Sequence, residues 1–262
     1  MNDVSKETEA ERLRRFWNTR YQDFSLQESG IKTLSNDYIQ LLYRCKLEAW
    51  VNALTRSGLR QRAGLRILDA GCGQGFFADA VERELTAAHY TGVDISEKSI
   101  AHLRETRPQH SWICDDFASP DFSLPQSFDL IQSIEVIHLI LDDANHAMAL
   151  SNFAKLLAKN GRIVVTDMLP KVRTQINPYI IFRPLTQYQA LADRLGLVIE
   201  SVRPMYYFVP SRGWTASPVN KVFARLSPQT VFALDRAALA MRLPHFWTTH
   251  DSQVKMLVLR AA

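Results

Sequence analysis

Cysteine is scarce in this sequence of 262 residues, and the three that occur, Cys45, Cys72 and Cys114, lie far apart. An odd number of cysteines at wide spacing provides neither a disulfide framework nor a metal cluster. Such usage is typical of a reducing compartment, and we expect the protein in the cytoplasm.

Long hydrophobic runs are also missing. No apolar stretch approaches the ~18 residues that a membrane-spanning helix requires. The segment Met1 to Arg15 is charged and has no hydrophobic centre, so it does not read as a signal peptide. The sequence therefore predicts a soluble protein with no membrane partner.

The sequence also lacks a concentration of charge of one sign. The chain has 31 basic and 27 acidic residues, a formal net charge of +4, and the basic residues are scattered. A nucleic-acid partner normally requires a concentrated basic patch, so we expect none. Apolar and charged contents of 47% and 22% are ordinary for a globular protein long enough for one large domain.

A glycine-rich stretch organises what is present. Residues 65–77 read LRILDAGCGQGFF, in which the apolar residues before Asp69 predict a buried parallel strand. Three glycines, Gly71, Gly73 and Gly75, then allow a tight turn that leaves room for a ligand against the backbone. Helical spacing from Phe76 to Leu85 follows. In an open α/β sheet, ligands bind at this carboxyl end of a strand.

The next predicted strand, Tyr90 to Asp94, ends in an acid 19 residues after Gly75. An acid at that distance suits the two ribose hydroxyls of a nucleoside. The NAD fingerprint, Gly-x-Gly-x-x-Gly, would place its last glycine at position 76, where this chain has Phe76. A dehydrogenase is therefore disfavoured.

Taken together, these motifs resemble the class I S-adenosylmethionine-dependent methyltransferases, in particular the type 11/12-like small-molecule enzymes, over residues 64–209 and 253–259. The resemblance implies an α/β fold with a Rossmann-like seven-stranded sheet, mostly parallel with an antiparallel last strand. We expect residues 1–60 to form an N-terminal helical lid. Residues 61–262 would form the methyltransferase domain, with a helical insert at about 210–252.

The remaining elements follow from periodicity and turn residues. Ser96 is expected to cap a helix, and Asp142 or Asp143 to begin another. Residues 171–183 read as a loop, and Asn160-Gly161 as a turn before the fifth strand. The predicted later strands are Ser111 to Cys114, Phe128 to Ile134, Arg162 to Thr166, Leu197 to Val209 and Gln253 to Leu259.

The resemblance implies S-adenosyl-L-methionine as cofactor, with S-adenosyl-L-homocysteine as its product. The residues expected to bind it are Asp69, Gly71, Cys72, Gly73, Gly75, Phe76, Asp94, Ile95, Asp115, Asp116, Phe117, Ser133 and Tyr21. Within this set Asp116 aligns better than Asp115 with the family's acid that accepts a hydrogen bond from the adenine amino group. Cys72 is expected to serve as a small residue that fits the loop rather than as a reactive thiol.

Three histidines are candidate catalytic bases for an acceptor that must lose a proton: His138, His245 and His250. Many members of the family have a histidine one place after His138, where this chain has Leu139. Each of the three has a purely structural role as its alternative, and a carboxylate acceptor would need no base. Glu135 either contacts the methionine end of the cofactor or faces solvent.

We predict no metal site, because the spacing of the conceivable ligands Asp142, Asp143 and Asp167 demands none. The insert is expected to wall off a pocket for the acceptor; the alternative is a contact in a homodimer. The resulting prediction is methyl transfer to a small or medium-sized organic acceptor, at oxygen, in specialised metabolism. Alternatives are an N- or C-methyltransferase, a peptide or protein methyltransferase, and a non-catalytic cofactor-binding subunit.

Overall fold

The structure is a computed structural model that describes residues 7–21, 24, 35–206, 226–241 and 254–262. Its helices are α1 (Glu9–Arg20), α2 (Asn36–Arg56), α3 (Phe76–Glu84), α4 (Glu97–Thr106), α5 (Asp143–Leu156), α6 (Leu185–Arg194) and α7 (Pro228–Ala240). Its strands are β1 (Arg66–Ala70), β2 (His89–Asp94), β3 (Ser111–Cys114), β4 (Phe128–Ser133), β5 (Leu157–Asp167), β6 (Thr174–Asn177), β7 (Ile180–Phe182), β8 (Leu197–Pro204) and β9 (Lys255–Ala261).

Seven of the strands form one sheet in the order β3-β2-β1-β4-β5-β9-β8. The first five are parallel, and β9 runs antiparallel to both β5 and β8. This arrangement confirms the predicted fold. The strand order reverses between β1 and β4, and such a reversal opens a crevice at the carboxyl ends of the strands.

Side-chain caps fix the starts of two helices next to that crevice. The Ser96 hydroxyl accepts a hydrogen bond from the backbone N–H of Ser99 at 3.2 Å, so α4 begins directly after β2. The Asp142 carboxylate accepts from the N–H groups of Ala144 and Asn145 at 2.7 and 3.0 Å. Both caps were expected from the sequence, and Asp142 rather than Asp143 is the capping residue of α5.

The predicted turn before the fifth strand is wrong, because β5 begins at Leu157 immediately after α5. Leu157 pairs with Phe128, and regular pairing resumes only at Arg162, opposite Leu130. The intervening residues form an irregularity within the strand, where Asn160 has a positive φ of 64°. Asn160-Gly161 therefore bends the strand instead of preceding it.

The predicted loop at 171–183 is also wrong, since it contains the antiparallel hairpin of β6 and β7. Asn177 makes the turn: its side-chain oxygen accepts from the N–H of Tyr179 at 2.8 Å. The sequence carried this signal, an asparagine followed by proline with apolar residues on both sides. At the other end of the domain, the strand predicted for 197–209 ends at Pro204, and residues 207–209 lie outside the described residues.

The N-terminal segment, residues 1–60, is called the leader below. Its described part packs against the described part of the insert. The Tyr38 hydroxyl on α2 donates to the backbone oxygen of Leu226 at 2.8 Å. Arg236 on α7 donates to Glu48 of α2 at 2.9 Å and to the backbone oxygen of Met205 at 3.2 Å. Among the helices that the structure describes, none combines the length and apolarity needed to cross a bilayer.

Candidate functional site

A cleft opens at the carboxyl ends of β1, β2 and β4. It holds about 1030 Å³ of space, open solvent at its mouth included. Its sheet-side lining comes from the loops that follow the strands and from the start of α3: Asp69, 71–74, Phe76, Phe77, Asp94, Ile95, Asp116, Phe117, 134–136, Leu139 and Ile140.

The glycine loop forms the floor of this cleft. Gly71 has a φ of +84°, and a Cβ built on it would lie 2.4 Å from Cγ1 of Val136. Gly73 has a φ of +53°, and its Cβ would meet the Tyr21 hydroxyl at 3.1 Å. The positive φ favours glycine at both positions, and at Gly71 the contact with Val136 also leaves no room for a Cβ. The loop is thereby pressed between the end of β4 and the leader, with its backbone facing the cleft.

Asp94 joins the glycine loop to the start of α4. One carboxylate oxygen accepts from the N–H of Gly73 at 2.9 Å and the other from the N–H of Ser96 at 2.9 Å. The side chain is nearly buried, and this desolvation raises the pKa of Asp94 above its ordinary value. A carboxylate oxygen has two lone pairs, so each one can still accept a hydrogen bond from a ligand hydroxyl in the cleft.

Asp69 lies deeper, at the end of β1. The Tyr90 hydroxyl donates to it at 2.5 Å, and desolvation raises the pKa of Asp69 to about 6. Its sheet neighbour Gln132 accepts from the indole N–H of Trp50, on α2, at 2.7 Å. The leader helix is thus hydrogen-bonded to the sheet directly beside the cleft.

The acids after β3 have different environments. Asp115 is exposed, and its carboxylate accepts from the N–H of Asp116. Asp116 lines the cleft, accepts from the N–H of Ala118 at 2.9 Å, and has a pKa raised by burial. Phe117 lines the cleft beside it. An acid and an aromatic ring in this arrangement can receive the amino edge and the face of a planar base.

The leader supplies the opposite wall. Leu13, Trp17 and Tyr21 come from α1 and its last turn, and Tyr43 and Lys46 come from α2. The sequence predicted Tyr21 here, but it missed the other four. Tyr38, also on α2, does not line the cleft, and its hydroxyl donates to the backbone oxygen of Leu226.

A carboxylate from α1 holds this wall in place. Glu9 accepts hydrogen bonds from the backbone N–H groups of Leu141 and Asp142 and from the side-chain amide of Asn145. These donors lie at the start of α5, so the leader docks onto the loop that also forms the rim of the cleft.

Lys46 and Glu135 form an ion pair within the cleft lining, with 3.7 Å between Nζ and Oε2. Glu135 follows β4 with a positive φ of 63°, and its N–H donates to the Thr166 hydroxyl at 2.7 Å. Glu135 therefore lines the cleft rather than facing bulk solvent. A sequence signal for Lys46 existed: it lies four residues from both Leu42 and Trp50, which are buried on the same helix face.

Of the three predicted catalytic histidines, His138 is the one among the described residues, and it does not line the cleft. His138 is buried in a single 3₁₀ turn, Ile137–Leu139, with its ring centre 5.2 Å from that of Phe182. The residue after it, Leu139, lines the cleft. His245 and His250 lie outside the described residues.

Of three further residues predicted to bind the cofactor, two lie outside the cleft lining. Ser133 is fully buried in the sheet, and Gly75 is the N-cap residue of α3; neither lines the cleft. Cys72 does line it, and burial raises the pKa of its thiol, which disfavours the reactive thiolate.

The conceivable metal ligands have protein partners. Asp143 pairs with Arg183 and Arg173, and Asp167 accepts from the Tyr188 hydroxyl at 2.8 Å. Within the described ranges, no group of three or more His, Cys, Asp or Glu side chains is placed to hold a metal ion.

Comparisons with known proteins match the segment that contains the sheet-side lining of the cleft. Residues 67–161 match the family described as Methyltransferase domain. A ubiquinone biosynthesis O-methyltransferase of Chromobacterium violaceum is 24% identical over 62% of this chain and 73% of its own. The ribosomal RNA small subunit methyltransferase C of Haemophilus influenzae is 27% identical over 73% of this chain and 56% of its own.

Among solved structures, the magnesium protoporphyrin IX methyltransferase of Synechocystis, determined with bound SAM, superposes with a TM-score of 0.62 at 14% identity. The match covers 98% of this chain and 99% of that one. At this identity the likeness concerns the fold. The acceptors in these three names differ widely, so similarity alone leaves the acceptor of this chain open.

Proposed function

We infer from the match of residues 67–161 to a methyltransferase domain that the chain is a class I S-adenosylmethionine-dependent methyltransferase. From that premise we propose that it methylates a small or medium-sized organic acceptor at oxygen, as an enzyme of specialised metabolism in the cytoplasm. The observation that carries the proposal is the composition of the cleft: the glycine loop, Asp94 and Asp116 lie on one wall, and leader aromatics lie on the other. When bound, the cofactor supplies a methyl group already activated on a sulfonium.

The residues present fit the cofactor. Asp94 would accept hydrogen bonds from the ribose hydroxyls, for which its two oxygens have free lone pairs. Asp116 would accept from the adenine amino group, with Phe117 against the ring. Glu135 has a buried carboxylate oxygen, Oε1, to which none of the described residues donates a hydrogen bond, and a ligand donor such as an ammonium group would satisfy it. Gly71 and Gly73 admit the ligand close to the backbone.

For the acceptor, the chain must hold the reacting atom near the methyl group and exclude water. The leader wall serves this purpose, and we propose that the insert extends it, rather than mediating a dimer. The packing of α7 on α2 supports this proposal, because α2 carries Tyr43 and Lys46 into the cleft. Where a proton must be removed, we propose that an acid of the cleft lining accepts it rather than the buried His138, which does not line the cleft.

Two relatives bear on the reacting atom and on partners. The ubiquinone biosynthesis enzyme is named an O-methyltransferase, which supports oxygen. The second relative is named a ribosomal RNA methyltransferase, and its name argues against a small acceptor. The scattered basic residues and the largely apolar leader wall favour the small acceptor, and we propose no nucleic-acid or membrane partner.

The test begins with calorimetric titration of S-adenosylmethionine, S-adenosylhomocysteine and NAD. We expect micromolar binding of the first two and none of NAD; binding of NAD alone would refute the assignment. Protein loaded with methyl-labelled cofactor is then incubated with a panel of hydroxyl, amine and carbon acceptors, and the products are assigned by mass spectrometry. Label on nitrogen or carbon would replace the O-methylation proposal, and cofactor binding without transfer to any acceptor would favour a non-catalytic subunit.

A further inference from the structure

Lys46 is an unusual lysine, because it lies on the buried face of α2 and only 5% of it is exposed. Lysine is among the residues least often buried without a partner. Its ammonium group lies 3.7 Å from Oε2 of Glu135 and 4.6 Å from the centre of the Tyr43 ring. The position is therefore set by packing on both sides of the side chain and is not that of a surface lysine folded back.

The protein satisfies this ammonium incompletely. A lysine has three N–H donors, and a separation of 3.7 Å exceeds the ~2.7–3.2 Å of a hydrogen bond. In the part of the chain that the structure describes, Nζ donates no hydrogen bond. Oε1 of Glu135 is likewise buried without a partner. A buried cation with unused donors at a cleft wall is suited to an acceptor group brought by a ligand.

The charges around the cleft make Lys46 distinctive. Apart from Lys46, the tyrosines and Cys72, the ionisable side chains of the described lining are acidic. They are Asp69, Asp94, Asp116 and Glu135. Lys46 is the single basic side chain among the described residues of the lining. A negatively charged ligand group would be repelled elsewhere in the cleft, so Lys46 alone fixes where such a group can be held.

The sheet order places Lys46 away from the nucleoside side. Asp94 and Asp116 follow β2 and β3, on one side of β1, whereas Glu135 follows β4 on the other. Lys46 contacts Glu135 and therefore lies on the β4 side of the cleft, which is where the resemblance to the methyltransferases implies that the transferable methyl group would be presented. The neighbouring lining is apolar or aromatic, including Tyr43, Phe76 and Leu139.

From these contacts we propose that Lys46 is the anion-binding residue of the cleft and holds a carboxylate of a molecule bound there. The inference rests on the proposed function, which defines two sources for that carboxylate: an apolar or aromatic acceptor that carries an acid group, or the amino-acid portion of the cofactor. A charge-assisted hydrogen bond to the ammonium would provide the recognition in either case.

The experiment uses two matched pairs of probes that differ in the carboxylate. S-adenosylhomocysteine is compared with 5′-methylthioadenosine, which lacks the amino-acid portion. With S-adenosylhomocysteine bound, 4-hydroxybenzoate is compared with 4-hydroxybenzamide. Calorimetric Kd values are measured for the wild type, Lys46→Met, Lys46→Arg and the control Lys155→Met, which makes the same change at an exposed lysine of α5.

We expect Lys46→Met to weaken the binding of one anionic probe by about tenfold or more, and to leave its neutral counterpart within about twofold. Lys46→Arg should restore much of that loss, because it returns the charge. Loss confined to hydroxybenzoate assigns the carboxylate to the acceptor, and loss confined to S-adenosylhomocysteine assigns it to the cofactor. Melting temperatures of all variants are compared, since a folding defect would weaken both members of a pair.

The proposal is overturned if Lys46→Met binds both anionic probes within about twofold of the wild type and of Lys155→Met. It is also overturned if anionic and neutral members weaken equally, since Lys46 would then act only on packing. Wild-type binding of S-adenosylhomocysteine is the separate readout for the proposed function. A wild type that binds none of the four probes would overturn both.

Discussion

Replacing Asp94 by alanine tests the link between the cleft and its proposed nucleoside ligand. The carboxylate of Asp94 accepts the N–H groups of Gly73 and Ser96, each at 2.9 Å, and it lies 7% exposed at the cleft wall. Alanine leaves both backbone donors without this acceptor, and it removes the acceptor proposed for the ribose hydroxyls. The variant should therefore lose cofactor affinity and some stability.

The two losses have different sizes. A hydrogen bond to a charged group contributes about 1.5–3 kcal/mol, so losing even one ribose contact weakens binding by about 10- to 150-fold. Each unpaired backbone N–H costs about 1–3 kcal/mol. Against that cost, alanine relieves the desolvation that raises the pKa of Asp94. We therefore expect about 2 kcal/mol less stability, at the low end of the sum for two donors.

The assay is calorimetric titration of S-adenosylhomocysteine, paired with urea unfolding of the same preparation. Asp115→Ala is the matched control, because it removes a neighbouring exposed acid that does not line the cleft. Its Kd should stay at the wild-type value. An Asp94→Ala protein with lowered stability but an unchanged Kd would refute the ribose contact and leave Asp94 a purely structural role.

Three further predictions concern the loop, a buried carboxyl and a buried arginine. Gly73→Val should abolish measurable binding of S-adenosylhomocysteine in calorimetry, because a β-branched residue is strained at a φ of +53° and would fill the cleft floor. Burial raises the pKa of Asp69 to about 6 in the folded chain, from an ordinary value of 3.8, so its contribution to stability is complete below about pH 4 and is lost as the pH rises toward about 6. In urea unfolding, the free energy of unfolding of Asp69→Asn should therefore rise by about 2–3 kcal/mol relative to that of the wild type between pH 4 and pH 7. A difference between the two proteins that does not change with pH would contradict the shifted pKa. Arg183→Met should cost about 3 kcal/mol in the same assay, because Arg183 is fully buried against Asp143, whereas Arg173→Met, on the exposed side of the same carboxylate, should cost less than about 1 kcal/mol.

The sheet and the glycine loop were predictable because their signals are local. An apolar run ending in Asp69, three spaced glycines and an acid after the next strand determine a strand, a turn and a ligand-facing edge without knowledge of the rest. The structure places Asp69, Asp94 and Asp116 in the lining of one cleft, as those patterns predict. Parallel strands bring their carboxyl ends to one edge, so distant acids converge automatically.

The buried charges were not predictable in the same way. The helical spacing of Lys46 indicates a buried face, but its partner has no local signal. Glu135, which pairs with Lys46, and Asp143, which pairs with Arg183, are contributed by other segments of the chain. The departures in β5 and in the β6–β7 hairpin have a similar origin. Asn160 and Asn177 are both asparagines followed by a residue typical of turns. Whether such a site separates two elements or bends one strand depends on the pairing with neighbouring strands.

The docking of Glu9 has a consequence for the order of events during synthesis. Its partner Asn145 is made 136 residues later, an interval of roughly 7–27 s at the ~5–20 residues per second of translation. Until then the aromatic side chains of α1 have no cleft to cover, although they leave the ribosome before the strands that form it. The helix that completes the cleft is thus made before the residues onto which it docks, and for that interval Trp17 of the nascent chain lacks the partner surface that it has in the folded protein.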